Sequence, residues 1–317
     1  MISFPKDVVQ AHERSKSYIR HTPLEYSPYL SHLVHGDVYL KLENVQKTGS
    51  FKFRGAISKM TALTDEEKSK GVVTASTGNH GAACSLAMSL IGVKGKIVVP
   101  ETVHNNKVDN ILNFGGEVEY FGNDCIIAEE RAQEISNTTG ATYISPYNDP
   151  DILCGQGTMG VEIWNDLDIV DSVFVSVGGG GLISGVGSYL KTMNRKIKII
   201  GVSPKNSCVM YESLKAGEQL DLPSEDTLSD GTAGGVEMGS ITFELCQNVI
   251  DDFVLVSEDE IAEGIRIGIE KNHQLIEGAA GAAIAGFMQK KDQLMGQTVV
   301  IIICGGNISS EVLKKIL

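Results

Sequence analysis

The sequence predicts an α/β fold built on two open, mainly parallel sheets. Three observations support this prediction. Short apolar runs alternate with helix-like segments along most of the chain, several of these runs are apolar at every position, and helix-start signals stand between them. Continuously apolar runs are typical of parallel strands that are covered on both faces.

Eight runs are predicted to be strands. In chain order they are residues 37–43, 71–76, 95–100, 117–121, 172–177, 197–203, 253–257 and 298–304. Two helix starts carry a capping box, in which a hydroxyl residue is followed three positions later by a glutamate. These pairs are Thr64 with Glu67 and Ser257 with Glu260.

The composition narrows the class of ligand. The chain has 317 residues, a length that suits two domains. Its formal net charge of -13 argues against a nucleic acid or an anionic membrane as the partner, because phosphate backbones and anionic lipids bind to basic faces. A small-molecule ligand is therefore expected.

The first residues and the cysteines indicate the compartment. The amino-terminal segment is charged throughout and lacks the apolar core of a signal peptide, and no apolar run is long enough to span a bilayer. The six cysteines form no CxxC pair of the kind that suggests a redox or zinc site. We expect a cytoplasmic protein with reduced thiols.

Four consecutive glycines follow the predicted strand 172–177 and precede a helix-like segment. They are Gly178, Gly179, Gly180 and Gly181. Each glycine costs backbone entropy, so a run of four is hard to explain by packing, whereas backbone N–H groups at a helix N-terminus form a good anion site. The spacing does not match a dinucleotide-binding turn, and no acidic residue follows about 20 positions later. The run predicts a site for a single phosphate group.

One lysine, Lys52, stands between two phenylalanines, Phe51 and Phe53, in the segment TGSFKFRGA. Lysines are almost never fully buried unless they are paired, so an exposed lysine at a helix start is one interpretation. A lysine held against aromatic rings can also be a desolvated amine with a lowered pKa, which Schiff-base chemistry requires. The flanking residues leave both interpretations open.

A polar turn follows the predicted strand 71–76 in the segment TASTGNHGAA. Its hydroxyl, amide and imidazole side chains belong to Ser76, Thr77, Asn79 and His80. Together at a helix N-terminus they would receive a carboxylate, although an N-capped turn without a ligand is an equal alternative.

A cysteine, Cys304, ends the last predicted strand and is followed by Gly-Gly-Asn. A buried cysteine is commonly a small hydrophobic residue. At the carboxyl end of a parallel strand, however, it faces the crevice where such sheets bind ligands.

Four motifs occur in order between residues 47 and 307: KTGSFKFRGA, STGNHGAA, VGGGGLISG and CGGN. With them the chain resembles the fold-type-II pyridoxal-phosphate enzymes of the threonine/serine dehydratase and serine racemase group. The resemblance implies a tryptophan synthase β-like fold and a homodimer. It also implies a large cofactor-binding domain of residues 1–64 and 146–317 and a small mobile domain of residues 65–145.

The resemblance assigns roles around pyridoxal 5'-phosphate. Lys52 would bind the cofactor as a Schiff base and transfer the proton of the substrate α-carbon, and Phe51 would lie against the ring. The phosphate would be bound by the backbone of Gly178, Gly179, Gly180, Gly181 and Leu182. Asn79 would bond the ring's 3-oxygen, and Cys304 would face the pyridine nitrogen.

The resemblance also assigns the substrate carboxylate to the polar turn, with Ser76, Thr77, Asn79 and His80 as its ligands. Glu277 stands where the group has an acid near the cofactor. The group's divalent-metal site would fall on Ser203, Ser207 and Cys208, none of which is a carboxylate, so no metal is expected. The chain ends at Leu317, so no regulatory domain is expected.

The expected activity is α,β-elimination from a β-hydroxy amino acid, L-threonine or L-serine, to a 2-oxo acid and ammonia. A thiol at the pyridine nitrogen is only a weak hydrogen-bonding group, which favours elimination. One alternative is a serine racemase. That group uses a serine as the second catalytic acid/base, and the matching residue here is Thr77, whose χ1 is restricted.

Two further alternatives remain. One is a specialised dehydratase that acts on 3-hydroxyaspartate or on a hydroxyectoine breakdown product. The other is a non-enzymatic binding protein on the same fold. An inactive relative is expected to lose Lys52 or the glycine run, and both are present.

Overall fold

The structure is a computed structural model that describes residues 4–103 and 105–317, with the backbone alone for residues 105–107. The strands are β1 (Leu24–Tyr26), β2 (Asp37–Leu42), β3 (Val72–Ala75), β4 (Gly95–Val99), β5 (Glu117–Tyr120), β6 (Thr142–Tyr143), β7 (Ser172–Ser176), β8 (Lys198–Pro204), β9 (Asp252–Val256) and β10 (Thr298–Ile303).

The helices alternate with these strands. They are α1 (Lys6–Ser15), α2 (Pro28–Val34), α3 (Lys52–Ala62), α4 (Asp65–Lys70), α5 (Asn79–Ile91), α6 (Asn105–Asn113), α7 (Cys125–Thr139), α8 (Pro150–Asp166), α9 (Gly181–Met193), α10 (Val209–Ala216), α11 (Ile241–Val249), α12 (Glu258–Asn272), α13 (Gly278–Lys290) and α14 (Ser310–Ile316). None of the described helices is long and apolar enough to cross a membrane.

The larger sheet has six strands in the order β1-β2-β10-β7-β8-β9. Strand β1 is antiparallel to β2, and the other pairs are parallel. Helices cover both faces of this sheet. Ile199 and Val202 of β8 point to opposite faces, and each contacts a helix. Ile199 lies beside Gly187 of α9, and Val202 lies beside Gly286 of α13. Burial from both sides explains why β7 is buried at every position.

The smaller sheet has four parallel strands in the order β5-β4-β3-β6, all within residues 72–143. Its core joins the helix α3. Phe53, Ile57 and Met60 of α3 pack in one buried cluster with Ala83 of α5 and Ile97 of β4. Helix α3 thus lies between the smaller sheet and α8.

The predicted strands are confirmed, each to within one residue at either end. Both capping boxes are also present. Strands β1 and β6 were not predicted, because three and two residues are too few to show a hydrophobic period. The antiparallel β1 makes the larger sheet mixed at one edge.

Helix α8 packs closely between α3 and α9. A Cβ atom at Gly155 of α8 would lie 2.5 Å from the carbonyl oxygen of Arg54 in α3. A Cβ atom at Gly185 of α9 would lie 2.4 Å from the carbonyl oxygen of Leu153 in α8. Glycine is required at both contacts, since real Cβ atoms do not approach a backbone oxygen so closely.

The variant Gly185→Ala should destabilise the protein by about 1–3 kcal/mol, because the added methyl group forces α8 and α9 apart. A urea titration of the purified protein measures the change. The control is Gly235→Ala, where a Cβ atom meets nothing within 4 Å. Equal unfolding midpoints for the two variants would contradict the packing described here.

Candidate active site

The segment before Lys52 is attached to the end of β10. Ser50 forms an isolated antiparallel bridge with Gly305, and the Phe51 N–H donates to the Cys304 carbonyl over 2.9 Å. These bonds bring the start of α3 and the end of β10 together, as the motifs around Lys52 and Cys304 indicate.

Lys52 is the first residue of α3, and its amine lies in a largely desolvated place. The Nζ atom donates to the Pro146 carbonyl over 2.9 Å and lies 5.3 Å from the centre of the Phe51 ring. Burial lowers the pKa of Lys52 to about 8, against the opposing effects of Cys84 and other nearby groups. A larger fraction of this amine is therefore neutral at pH 7 than of an ordinary lysine.

The four glycines form the turn between β7 and α9. Gly180 has a φ of 81°, which favours glycine. A Cβ atom at Gly178 would lie 2.7 Å from the Thr232 carbonyl oxygen, and one at Gly179 would lie 2.5 Å from the Tyr147 ring. No side chain caps α9, so the N–H groups of its first turn remain available to an anion.

Half-buried Asn79 belongs to a hydrogen-bond network with the buried Glu277 and the exposed Asn307. The Asn79 amide donates to both carboxylate oxygens of Glu277 at 3.0 Å, and the Asn307 amide donates to Asn79 Oδ1 over 2.6 Å. The backbone N–H of Asn307 donates to Glu277 over 3.1 Å. The carboxamide that the resemblance assigns to the ring oxygen is thus also a partner of Glu277.

Burial raises the pKa of Glu277 to about 7, and the hydrogen bonds from Asn79 and Asn307 oppose this shift. Its side chain is 3% exposed. The sequence indicated an acid near the cofactor at this position, but it gave no sign that the acid would bond Asn79.

The side chains of the polar turn after β3 lie in two different environments. Ser76 and Thr77 are half-buried beside Asn79, and Ser76 Oγ accepts from the Gly78 N–H over 3.2 Å. The His80 ring is buried, and its Nε2–H donates to the Ile144 carbonyl over 3.0 Å. Burial lowers the pKa of His80 to about 3, so the imidazole is neutral.

Cys304 is buried at the end of β10. Its Sγ atom lies 4.0 Å from Glu277 Oε1. Burial raises the pKa of the thiol well above its ordinary value, and Glu277 adds to the shift. The thiol is therefore protonated at neutral pH.

Three parts of the site were not predicted from the sequence. They are Pro146–Tyr147, Thr232 and Asn307. Asn307 stands in the quoted CGGN motif and could have been named from it. The contacts of Tyr147 and Thr232 with the glycines could not be predicted, because they join distant parts of the chain.

These residues fit a phosphate-bearing aldehyde cofactor. A desolvated amine can form a Schiff base with the aldehyde, and uncapped helix N–H groups can bind the phosphate. On the segment before Lys52, Thr48 Oγ1 and Ser50 Oγ are buried and have no hydrogen-bond partner among the described residues. Buried hydroxyls of this kind are normally bonded, so a bound group beside them is consistent with the chemistry.

Comparison with known proteins gives one family. Residues 16–305 match the family model described as pyridoxal-phosphate dependent enzyme. The chain is 41% identical over 312 residues to the L-threonine ammonia-lyase of Thermotoga maritima. The matched region covers 98% of this chain and 77% of that protein.

Two solved structures are similar to this one over nearly the whole chain. Maize serine racemase is 31% identical, with a TM-score of 0.93 and coverage of 99% of this chain and 97% of that one. The processed form of threonine deaminase isoform 2 from Solanum lycopersicum is 35% identical, with a TM-score of 0.93 and coverage of 99% and 93%.

Glu277 should make the stability of the cofactor-free protein depend on pH. Its pKa is about 7 in the folded chain and ordinarily 4.5, so the folded state holds the proton more tightly. The stability contributed by the protonated carboxyl is fully present below pH 4.5 and is lost as the pH rises to about 7. Glutamine has no such loss. The stability of Glu277→Gln relative to wild type should therefore increase from about pH 5 to about pH 8.

Urea titrations of the two cofactor-free proteins at several pH values measure this difference. The control is Glu218→Gln, at a solvent-exposed glutamate. A stability difference between Glu277→Gln and wild type that stays constant with pH would show that the Glu277 carboxyl does not titrate as described.

Proposed function

Because the chain belongs to the family of pyridoxal-phosphate-dependent enzymes, we propose that it is a threonine/serine ammonia-lyase (dehydratase). It converts a β-hydroxy amino acid, with L-threonine the favoured substrate, to a 2-oxo acid and ammonia. The observation that carries this proposal is the desolvated Lys52 amine, which bonds the Pro146 carbonyl next to Tyr147, the residue whose ring lies against Gly179.

Pyridoxal phosphate, when bound, supplies an electron sink for the negative charge that develops at the substrate α-carbon. Lys52 is the residue that binds it. With substrate bound, Lys52 would remove the α-proton at Nζ, for which a pKa of about 8 is well matched to neutral pH. The proton removed from the α-carbon and the departing β-hydroxyl together make one water molecule, and the enamine product would take up water to give the 2-oxo acid and ammonia.

Backbone groups hold the cofactor phosphate in this proposal. The N–H groups of the glycine turn and Leu182 bind it at the start of α9, and Phe51 packs against the ring. Asn79 would bond the ring's 3-oxygen, and its bonds to Glu277 hold the carboxamide in place. The buried thiol of Cys304 would lie at the pyridine nitrogen, where it would be too weak an acid to protonate the ring, and this would favour elimination over racemisation.

The substrate carboxylate binds at the turn of Ser76, Thr77 and Asn79, where the N-terminus of α5 contributes a favourable field. A neutral His80 does not compensate the carboxylate charge. Its bond to the Ile144 carbonyl instead holds the first turn of α5 in place.

A polar groove lies near the glycine turn. It lies between α7 and the segment that contains Glu237, and its lining side chains, within the described residues, are Gln133, Ser136, Asn137, Tyr143, Ser145, Asn148 and Glu237. The Glu237 N–H donates over 2.8 Å to the hydroxyl of Tyr147, whose ring covers Gly179. None of these described lining residues is basic, so the groove offers no cation to a second carboxylate.

We also infer that residues 65–145 form a small domain that closes on the substrate and excludes water. The smaller sheet, which lies within this range, supports that inference. A homodimer in the cytoplasm is proposed as well. It is supported by the resemblance and by the expectation of reduced thiols, and the six described cysteines form no disulfide with one another.

Replacing Lys52 by alanine should lower the rate of oxo-acid formation from L-threonine by at least about 10²- to 10⁴-fold, because the acid/base group is lost. Visible absorbance of the lysine-bound cofactor should disappear in the same variant. The control is Lys94→Ala, at an exposed lysine. A folded Lys52→Ala protein with unchanged activity would reject the mechanism.

The racemase alternative is supported by the similarity to maize serine racemase and depends on Thr77. Incubation of the wild type with L-serine should give pyruvate and ammonia without D-serine, as measured by chiral chromatography. Thr77→Ser should raise the ratio of D-serine to pyruvate, since a serine hydroxyl is freer at χ1. D-Serine formation by the wild type at a rate similar to elimination would favour the racemase.

A further inference from the structure

A buried cluster of charges surrounds Arg54, two residues after Lys52 on α3. Its side chain is fully buried. The guanidinium donates to both oxygens of Glu43, each over 2.8 Å, and to both oxygens of Glu162, over 2.7 and 2.8 Å. A fifth bond of 3.1 Å reaches Thr158 Oγ1. The planar guanidinium thus joins two carboxylates through two-point contacts, which fix its orientation.

A second cation completes the cluster. Lys41 of β2, which is also buried, has its Nζ atom 2.7 Å from Glu162 and donates to the Thr22 carbonyl over 2.8 Å. Thr22 Oγ1 donates to Glu43 over 2.5 Å. Two cations therefore face two carboxylates, and the cluster joins the amino-terminal segment, β2, α3 and α8.

Such a cluster is weak evidence for stability by itself. Removing charges from water is costly, and apolar side chains of similar volume often stabilise a protein equally well. What a two-point ionic contact provides beyond apolar packing is direction, because an arginine bonded on two sides cannot rotate without breaking bonds.

The start of α3 lacks a side-chain cap. Phe51 stands at the N-cap position and makes no capping bond, and no acidic residue lies in the first turn. Lys52 and Arg54 differ by about 200° in direction and by about 3 Å along the helix axis. Fixing the direction of Arg54 on one side of α3 therefore fixes the direction of Lys52 on the other.

Helix α8 and the segment just before it contact both Arg54 and Lys52. Its Thr158 and Glu162 bind Arg54, and the Pro146 carbonyl, shortly before its start, accepts from Lys52. On its other side α8 packs against α9 through Gly185, and α9 begins at the glycine turn. The position of α3 on α8 thus determines how far the Lys52 amine lies from the phosphate site.

We propose that Arg54, held by Glu43 and Glu162, is a positioning residue for Lys52. Its contacts set the rotation of α3 against α8 and so direct the Lys52 amine to the cofactor aldehyde. This inference rests on the proposed role of Lys52.

The test compares holoenzymes of wild type, Arg54→Lys and Thr158→Val. Lysine keeps the charge but loses the two-point contacts, and valine removes one hydrogen bond at nearly constant volume. Three quantities are measured: the pH midpoint of the visible band of the lysine-bound cofactor, kcat for L-threonine and KM. Arg54→Lys should shift the midpoint by about half a pH unit or more, and should lower kcat by about 10-fold or more with KM within about 3-fold, since small misplacements of a reacting group are costly. Thr158→Val should shift the midpoint in the same direction by less.

The control is Lys59→Met, which breaks another ion pair between the same two helices. Lys59 lies about two turns after Lys52 on α3. Its side chain is 16% exposed, and its Nζ atom is 2.8 Å from Asp149 at the start of α8. This variant should be less stable but should keep the wild-type midpoint and kcat. It separates positioning of Lys52 from general loosening of the helix pair.

Three outcomes would overturn the inference. The first is a wild-type midpoint and kcat in both Arg54→Lys and Thr158→Val. The second is an equal change in Lys59→Met. The third applies if Arg54→Lys does not fold: a wild-type midpoint and kcat in Thr158→Val would then overturn the inference. A wild-type protein without the visible band would instead reject the proposed function, and with it this inference.

Discussion

The site depends on keeping one amine out of water beside a backbone anion site. Lys52 has a pKa of about 8 because it is buried, and its nearest hydrogen-bond acceptor is a neutral carbonyl, that of Pro146. A carboxylate partner at that distance would hold the amine charged and remove its nucleophilicity. Three packing relations maintain this environment: the attachment of the Lys52 segment to β10, the contact of α3 with α8, and the contact of α8 with α9.

Burial shifts the other titratable groups of the crevice toward their neutral forms. The pKa of His80 falls to about 3, that of Glu277 rises to about 7, and that of Cys84 rises to about 12. A phosphate and a carboxylate in this crevice would therefore be received mainly by N–H groups and by the N-termini of α9 and α5. In the proposed reaction such fixed dipoles would need no reorganisation and would leave Lys52 as the group that moves protons.

Much of the fold could be predicted because its signals are local. Apolar runs marked eight strands, and the two capping boxes need only residues three positions apart. The glycine turn was predicted for a similar reason, since a strand, four glycines and a helix are contiguous. The short strands β1 and β6 carry no period, and their pairing depends on neighbours far along the chain.

The candidate site was less predictable where its contacts are distant in sequence. Asn79 and Glu277 are nearly two hundred positions apart, and no motif joins them. The side chain of His80 was grouped with its neighbours in the motif, yet a helix turns by about 100° per residue, and the ring faces Ile144 instead. Arg54 appeared in the quoted motif only as a neighbour of Lys52, because its partners come from three other segments.

Chemical trapping decides whether Lys52 binds the cofactor. The wild-type protein is saturated with pyridoxal phosphate, reduced with borohydride and digested, and the labelled peptide is identified by mass spectrometry. We expect a phosphopyridoxyl group on Lys52. A label on another lysine, or no label at all, would contradict it.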